Sequence, residues 1–223
     1  HTSAVLQHKL GLTTGVAAFD ISLGCSGYVY GLFALKGFLE ASGLSNGILV
    51  TADPYSKIID PVDRVTSLLF GDAATATWLG ENPAWKLDAV GYGTNGSGAE
   101  YLCKRQKRLH MNGRQIFNFA NMQVAPHIRN LLDKQGLDER DIDLYCMHQG
   151  SAAIVNAIGS QFPAVFDRFV VDMLETGNTV SSSIPLLLET RAFDDNVKRI
   201  LLSGFGVGLS WASAIISKNS DKG

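Results

Sequence analysis

The sequence has few cysteines, little excess charge and no long apolar run, and each shortage excludes a class of protein. Its 223 residues include 3 cysteines (Cys25, Cys103 and Cys146), without a CxxC pair or zinc-type spacing. The 19 basic and 21 acidic residues give a formal net charge of −2, so nucleic acid is not an expected partner. No apolar run approaches the roughly 18 residues that a membrane-spanning helix needs. We therefore expect no metal, no nucleic acid and no membrane span, and unpaired cysteines favour a reducing, cytoplasmic setting.

The order of the predicted elements repeats along the chain. Hydrophobic residues make up 46% of the sequence, enough for a large core. Residues 1–110 are predicted to contain a strand, a turn at Cys25, a helix, a strand and a glycine-flanked strand. Residues 111–223 are predicted to contain a strand ending at His148, two helices, a strand and a glycine-hinged strand. The pattern predicts an α/β fold of two similar halves, 1–110 and 111–223.

Cys25 is the first candidate for chemistry. Residues 18–23 suit a strand, and apolar residues recur at helical spacing after Gly24, so Cys25 is expected at a strand-to-helix turn. The free N–H groups and positive dipole of a helix N-terminus favour a thiolate and predict a lowered thiol pKa. A buried structural cysteine explains the same residues equally well. The residues of this stretch alone leave both interpretations open.

His148 and Asn178 also have ordinary structural explanations. His148 follows a predicted strand and could be a core histidine. Cys146 shares its strand face, but two ligands without a third are weak support for a metal. Asn178 could be a turn or capping residue before a helix predicted at about 181–193.

Several rare motifs together carry a family resemblance. They are AFDISLGCSG, IDPVDR, FGDAA, MHQGS, GNTVSSSIP and GFGVGLSWASA, in this order between about residues 15 and 216. The chain resembles the ketoacyl-ACP synthase III family of the thiolase superfamily. That resemblance implies a layered α-β-α-β-α sandwich of two similar halves, and members that extend further at the N-terminus. We therefore expect the family's N-terminal region to be missing before His1.

The resemblance also implies an acyltransferase and its catalytic residues. Cys25, His148 and Asn178 stand at the positions of the family's Cys-His-Asn set, and the backbone N–H groups of Cys25 and Val207 at those of its oxyanion donors. The implied reaction acylates Cys25 from an acyl-CoA and then condenses that acyl group with malonyl-ACP or malonyl-CoA. The decarboxylative step gives a β-ketoacyl product in fatty acid or secondary-metabolite synthesis. The thioesters are the substrates, and no further cofactor is implied.

Substrate binding and assembly are implied less directly. Arg64, Ser151 and Gly206 stand at positions that contact CoA, and the family's members are homodimers. Ser151 replaces the usual Asn, and Val207 replaces a glycine, which is compatible with an oxyanion donor only if its φ is negative. Asn118 and Ala153 stand where basic residues dock the acidic carrier protein in housekeeping members.

Two other functions remain open at this point. In one, the acyl group passes from Cys25 to an oxygen or nitrogen acceptor without decarboxylation. In the other, the chain is a non-catalytic partner subunit of a heteromeric synthase, against which the complete Cys-His-Asn set argues. Release of CO2 discriminates decarboxylative condensation from simple acyl transfer.

Overall fold

A computed structural model of the chain describes residues 1–192 and 194–219. The helices are α1 Thr2–Lys9, α2 Gly27–Ser42, α3 Arg64–Ser67, α4 Gly113–Gln135, α5 Ala152–Gly159 and α6 Ser183–Arg191. The strands are β1 Asn46–Ala52, β2 Ala74–Gly80, β3 Trp85–Thr94, β4 Leu102–Arg105, β5 Arg108–Met111, β6 Leu144–Met147, β7 Arg199–Gly206 and β8 Ser210–Lys218.

A four-stranded sheet with the order β3-β8-β7-β6 forms the centre of the fold. β6 runs parallel to β7, and the other neighbours are antiparallel. Side chains of β7 alternate between two hydrophobic clusters: Leu201 packs with α4, and Ile200 and Leu202 pack with α2 and α6. A strand buried on both faces is expected to be largely apolar, as residues 200–202 of β7 are. The pairs β1–β2 and β4–β5 form separate two-stranded sheets.

The sheet pairing bears on the division of the chain into halves. β3 belongs to the predicted first half, yet its residues pair with β8 from Trp85↔Lys218 to Thr94↔Ser210. The division at residues 110 and 111 stays a prediction, and this pairing favours a boundary before Trp85.

Two predicted elements differ from those observed. The strand predicted at 18–23 is wrong, because no neighbouring strand pairs with this segment and it has no regular structure. Its Asp20 carboxylate instead accepts hydrogen bonds from the backbone N–H groups of Thr2 (2.5 Å) and Ser3 (2.8 Å) at the start of α1. The helix predicted at 181–193 begins at Ser183, after a short 3₁₀ turn, and ends at Arg191. Phe193 lies outside the described residues.

Within residues 1–192 and 194–219, no helix has the length and apolar character needed to cross a membrane.

Candidate active site

Strand β7 brings Cys25 and His148 together. A methyl group on Gly204 would lie 2.6 Å from the Cys25 carbonyl oxygen, and one on Gly206 would lie 2.8 Å from Cys25 Sγ. Along the edge of β7 that pairs with β6, the His148 N–H donates to the Ser203 carbonyl over 2.7 Å. Glycine allows the turn that carries Cys25 to approach the strand this closely.

Asn178 is held by a short backbone pairing with the segment before β2. Its N–H donates to the Leu69 carbonyl (2.8 Å), and the Gly71 N–H donates to the Asn178 carbonyl (3.1 Å). The Asn178 side-chain oxygen accepts from the Val180 N–H over 2.9 Å, which leaves the amide Nδ2 directed at Gly150, whose carbonyl lies 3.4 Å away. The amide therefore presents its donor beside the His148 loop.

The three side chains line one cavity of about 130 Å³ together with Ser151 and Gly206. Much of the remaining wall is apolar and includes Phe70, Leu102, Met111, Ile116, Phe117, Ile154 and Phe205. Arg64 is not part of this wall; it is the exposed first residue of α3. Ser151 also caps α5, because its Oγ accepts from the Ile154 N–H over 3.2 Å.

The expected lowering of the Cys25 pKa is wrong. Burial raises the pKa of the thiol to about 12, and the negative charge of Asp53 adds to this rise. Backbone N–H groups of Val207 and of Cys25 itself lower the pKa but do not outweigh the loss of solvation. The side chain is only 3% exposed, so water cannot solvate a thiolate there.

The same two N–H groups are the predicted oxyanion donors. Both interact with the sulfur, and Val207 does not have a positive φ, so its Cβ does not strain the backbone. Its Cγ1 occupies the space beside Gly24, 2.8 Å from where a Cβ on that residue would be. The absence of a side chain at Gly24 thus accommodates valine at 207.

His148 is held as a neutral imidazole. The side chain is 2% exposed, and burial lowers its pKa to about 4. Nδ1 lies 2.8 Å from Ser183 Oγ, which in turn lies 2.9 Å from the Val180 carbonyl. The ring meets Phe205 edge-on at a centroid distance of 5.7 Å. A neutral ring can form a hydrogen bond through Nε2 without adding charge to the apolar cavity.

Sequence reasoning missed three features of the site. Asp53 near Cys25 accepts from the Ser181 N–H (3.1 Å) and from its hydroxyl, and Ser183 contacts His148. Asp53 precedes the IDPVDR motif and Ser183 lies within GNTVSSSIP, but neither residue has a signal of its own. Phe117 belongs to the apolar spacing of α4, which is typical of core residues, but it lines the cavity. Within the described parts of the chain, no group of three or more potential metal ligands occurs.

Comparison with known proteins identifies the family. Residues 19–96 match the model of 3-oxoacyl-[acyl-carrier-protein] synthase III, and residues 132–218 match the model of its C-terminal region. The β-ketoacyl-[acyl-carrier-protein] synthase III 1 of Halalkalibacterium halodurans is 33% identical over 95% of this chain and 69% of the relative. The chain belongs to the 3-oxoacyl-[acyl-carrier-protein] synthase III family. A Listeria monocytogenes synthase III matches with the same identity and coverage.

Solved structures confirm the α/β fold of this synthase III family member. The Pseudomonas aeruginosa synthase III superposes with a TM-score of 0.88 at 32% identity, over 98% of this chain and 72% of that one. The Thermus thermophilus enzyme gives 0.89 at 31% identity, with the same coverage. A priming β-ketosynthase of the R1128 polyketide pathway gives 0.84 at 28% identity, over 96% and 69%. The layered thiolase-like fold expected from the motifs is therefore confirmed.

Proposed function

We propose that this chain is an acyltransferase that condenses an acyl-CoA starter with a malonyl thioester through an acyl-Cys25 intermediate. The observation that carries this proposal is that Cys25, His148 and Asn178 line one largely apolar cavity. A thiol, a neutral imidazole and a neutral amide suit a reaction that passes through an acyl-enzyme and an enolate.

In the first step, Cys25 Sγ attacks the acyl-CoA carbonyl. The N–H groups of Cys25 and Val207, which interact with the sulfur in the free protein, stabilise the oxyanion. A carbon–sulfur bond forms to Cys25 while the bond to CoA breaks, and the thiol proton leaves with CoA as free thiol. The high pKa of Cys25 means that deprotonation accompanies attack rather than preceding it.

In the second step, the malonyl thioester loses CO2. The N–H groups of His148 Nε2 and Asn178 Nδ2 donate to the thioester oxygen and stabilise the enolate that forms. This requires the neutral tautomer with its proton on Nε2, in which Nδ1 accepts from the Ser183 hydroxyl. Its carbon attacks the acyl-Cys25 carbonyl, a carbon–carbon bond forms, and the leaving Cys25 sulfur takes up a proton. Thioester cleavage and loss of CO2 drive the sequence, so it needs no redox cofactor.

The cavity wall suits the uncharged arm of a pantetheine thioester. Ser151 and Gly206 lie on that wall and contact the arm, and Gly206 leaves the path to the sulfur open. The exposed guanidinium of Arg64 lies outside the cavity and is assigned to the nucleotide end of CoA, where it can stack on a base or meet a phosphate.

The test is the intact mass of the protein after incubation with a panel of acyl-CoAs. We expect one acyl group on the wild type, none on Cys25→Ala, and normal labelling of the matched control Cys103→Ala. Labelling that survives in Cys25→Ala would overturn the proposal. Absence of labelling with every donor would favour the non-catalytic partner subunit.

Release of labelled CO2 from malonyl thioester separates condensation from simple acyl transfer. We expect His148→Ala and Asn178→Ala to become acylated but to release little CO2. If the wild type is acylated and releases none, while passing its acyl group to an alcohol or amine, the chain is a transferase without decarboxylation.

A homodimer in the cytoplasm is part of the proposal. Its support is a set of exposed apolar side chains: Ile48 and Val50 on β1, and Phe19 and Ile21 in the segment before α2. Single exposed apolar residues are ordinary, but a group of them marks a surface that another chain can cover. Sedimentation equilibrium of the full-length protein tests the dimer, and a monomer at micromolar concentration contradicts it.

A further inference from the structure

The most basic stretch of the chain is the hairpin formed by β4 and β5, residues 102–111. It contains four basic residues and no acidic one, in a chain whose formal net charge is −2. Lys104, Arg105, Lys107 and Arg108 are all exposed, as is His110. The net charge of the whole chain does not reveal this local cluster of positive charge, although the run KRQKR is visible in the sequence.

These charges contribute little to the folding of the hairpin. Arg105 and Arg108 stand directly opposite each other, and like charges in that register repel. Arg105 has one exposed ion pair, with Glu100, and Arg108 donates to the Ile59 carbonyl over 2.9 Å. The side chains of Lys104 and Lys107 have no hydrogen bond or ion pair with any residue of 1–192 and 194–219.

A tight turn places a lysine at the tip of the hairpin. Gln106 and Lys107 both have positive φ, 45° and 72°, as the two central residues of a tight two-residue turn require. Asparagine and glycine are the usual residues in such a turn, and a lysine there places its charge at the very tip. Lys107 is therefore exposed at the tip, while Arg108 and Leu109 behind it hydrogen-bond the carbonyl groups of Ile59 and Ile58.

The base of the same hairpin belongs to the candidate active site. Leu102 and Met111, which pair with each other, line the cavity that contains Cys25. The pair Arg105 and Arg108 lies three residues from the pair Leu102 and Met111. At about 3.3 Å per residue, this places the two arginines about 10 Å along the strands from the cavity wall. A partner bound to the tip would sit beside the cavity, within reach of a flexible arm.

We propose that this basic hairpin docks an acidic carrier protein that delivers the malonyl thioester on its pantetheine arm. The inference rests on the proposed function and names the carrier of its second substrate. A small nucleotide is normally held in a concave pocket, whereas these cations are exposed and distributed over both strands and the turn. Exposed lysines and arginines suit the electrostatic steering of an oppositely charged protein face.

The experiment compares three extenders on enzyme already acylated at Cys25. These are a malonylated acidic type II acyl carrier protein, malonyl-CoA and malonyl-pantetheine. In Lys104→Glu/Lys107→Glu, we expect KM for the malonyl carrier protein to rise about tenfold or more at low salt, with kcat within twofold. KM for the two small extenders should stay within twofold, and the difference should shrink at high ionic strength.

The matched control is Lys9→Glu/Lys134→Glu, which makes the same change of charge on two exposed lysines elsewhere. Lys134 lies near the end of α4, about 30 Å along the helix from Gly113 at the cavity. This variant should leave all three KM values within twofold. Both variants should be acylated at the wild-type rate and unfold at the wild-type temperature.

Three outcomes would overturn the inference. In the first, KM for malonyl-CoA rises as much as KM for the malonyl carrier protein, which would assign the hairpin to nucleotide binding. In the second, the hairpin variant changes KM for none of the extenders. In the third, the control variant raises KM for the carrier protein as much as the hairpin variant does. If acylated wild type condenses none of the extenders, the proposed function fails instead. In that case, fluorescence anisotropy of the labelled carrier protein measures its binding to the wild type and to both variants. We expect binding to weaken at least tenfold in the hairpin variant and to be unchanged in the control.

Discussion

One added methyl group at Gly206 is expected to impair the nucleophile without unfolding the protein. The Cβ of Gly206→Ala would lie 2.8 Å from Cys25 Sγ and 2.9 Å from Cys25 Cβ, and the φ of +157° is unusual for an L-residue. Favourable contacts between carbon atoms lie at about 3.5–4.0 Å, so Cys25 or β7 must move by about 1 Å. A displacement of about 1 Å at a reacting atom can cost about 10²-fold in rate. This corresponds to about 2.7 kcal/mol of activation free energy.

The assay is the single-turnover rate of Cys25 acylation, followed by intact mass. The control is Gly150→Ala in the same cavity, whose Cβ would meet His148 Cδ2 and Nε2 at 3.4 Å, an ordinary contact. We expect acylation about 10²-fold slower in Gly206→Ala and within about threefold of wild type in Gly150→Ala. If Gly206→Ala is acylated at the wild-type rate, the close approach of β7 to the sulfur does not constrain catalysis and the reasoning is refuted.

Three further predictions concern the buried titratable groups. Ser183→Ala removes the partner of His148 Nδ1, so CO2 release should fall about tenfold while acylation persists, with partial rescue by Ser183→Thr; equal losses in both steps would indicate a purely structural role. Because the pKa of Cys25 is about 12, its alkylation by iodoacetamide should accelerate about tenfold per pH unit from pH 7 to 10, and a plateau near pH 8 would contradict this. The folded-state pKa of His148, about 4, lies below its ordinary value of 6.5, so the unfolded chain binds a proton more readily than the folded one. The contribution of neutral His148 to the free energy of unfolding is therefore complete above pH 6.5 and is lost as the pH falls towards 4. The loss is up to about 3 kcal/mol. Between pH 7 and 4.5, the free energy of unfolding in urea should fall less in His148→Gln than in the wild type, and an equal fall in both would contradict this prediction.

Much of the candidate site could be predicted from the sequence because its residues stand in short, distinctive runs. Cys25, His148 and Asn178 each lie within a motif, and the helix after Cys25 and the buried strand around Leu201 follow from apolar spacing. The strand predicted after the Cys25 helix is β1, Asn46–Ala52. These features depend on neighbours in the chain, which a sequence displays directly.

Errors arose where distant residues decide the outcome. A helix N-terminus favours a thiolate at Cys25, but burial of the sulfur by other segments raises the pKa instead. The segment 18–23 has a strand-like composition but no neighbouring strand to accept its hydrogen bonds. Phe117 has the periodicity of a core residue, and only the placement of α4 beside the cavity gives it a place on the wall.

The sequence by itself determined the family, the class of fold and the three side chains to examine. Only the tertiary structure decided that those side chains lie together. Glycines of β7 leave room for Cys25 beside the strand, and the backbone of β7 accepts a hydrogen bond from the His148 N–H. The tertiary structure also decided that the run KRQKR is exposed near the cavity, since Leu102 and Met111 at the base of the same hairpin line the cavity wall. Proximity between segments far apart in the chain, and the burial that follows from it, are properties of the packed molecule.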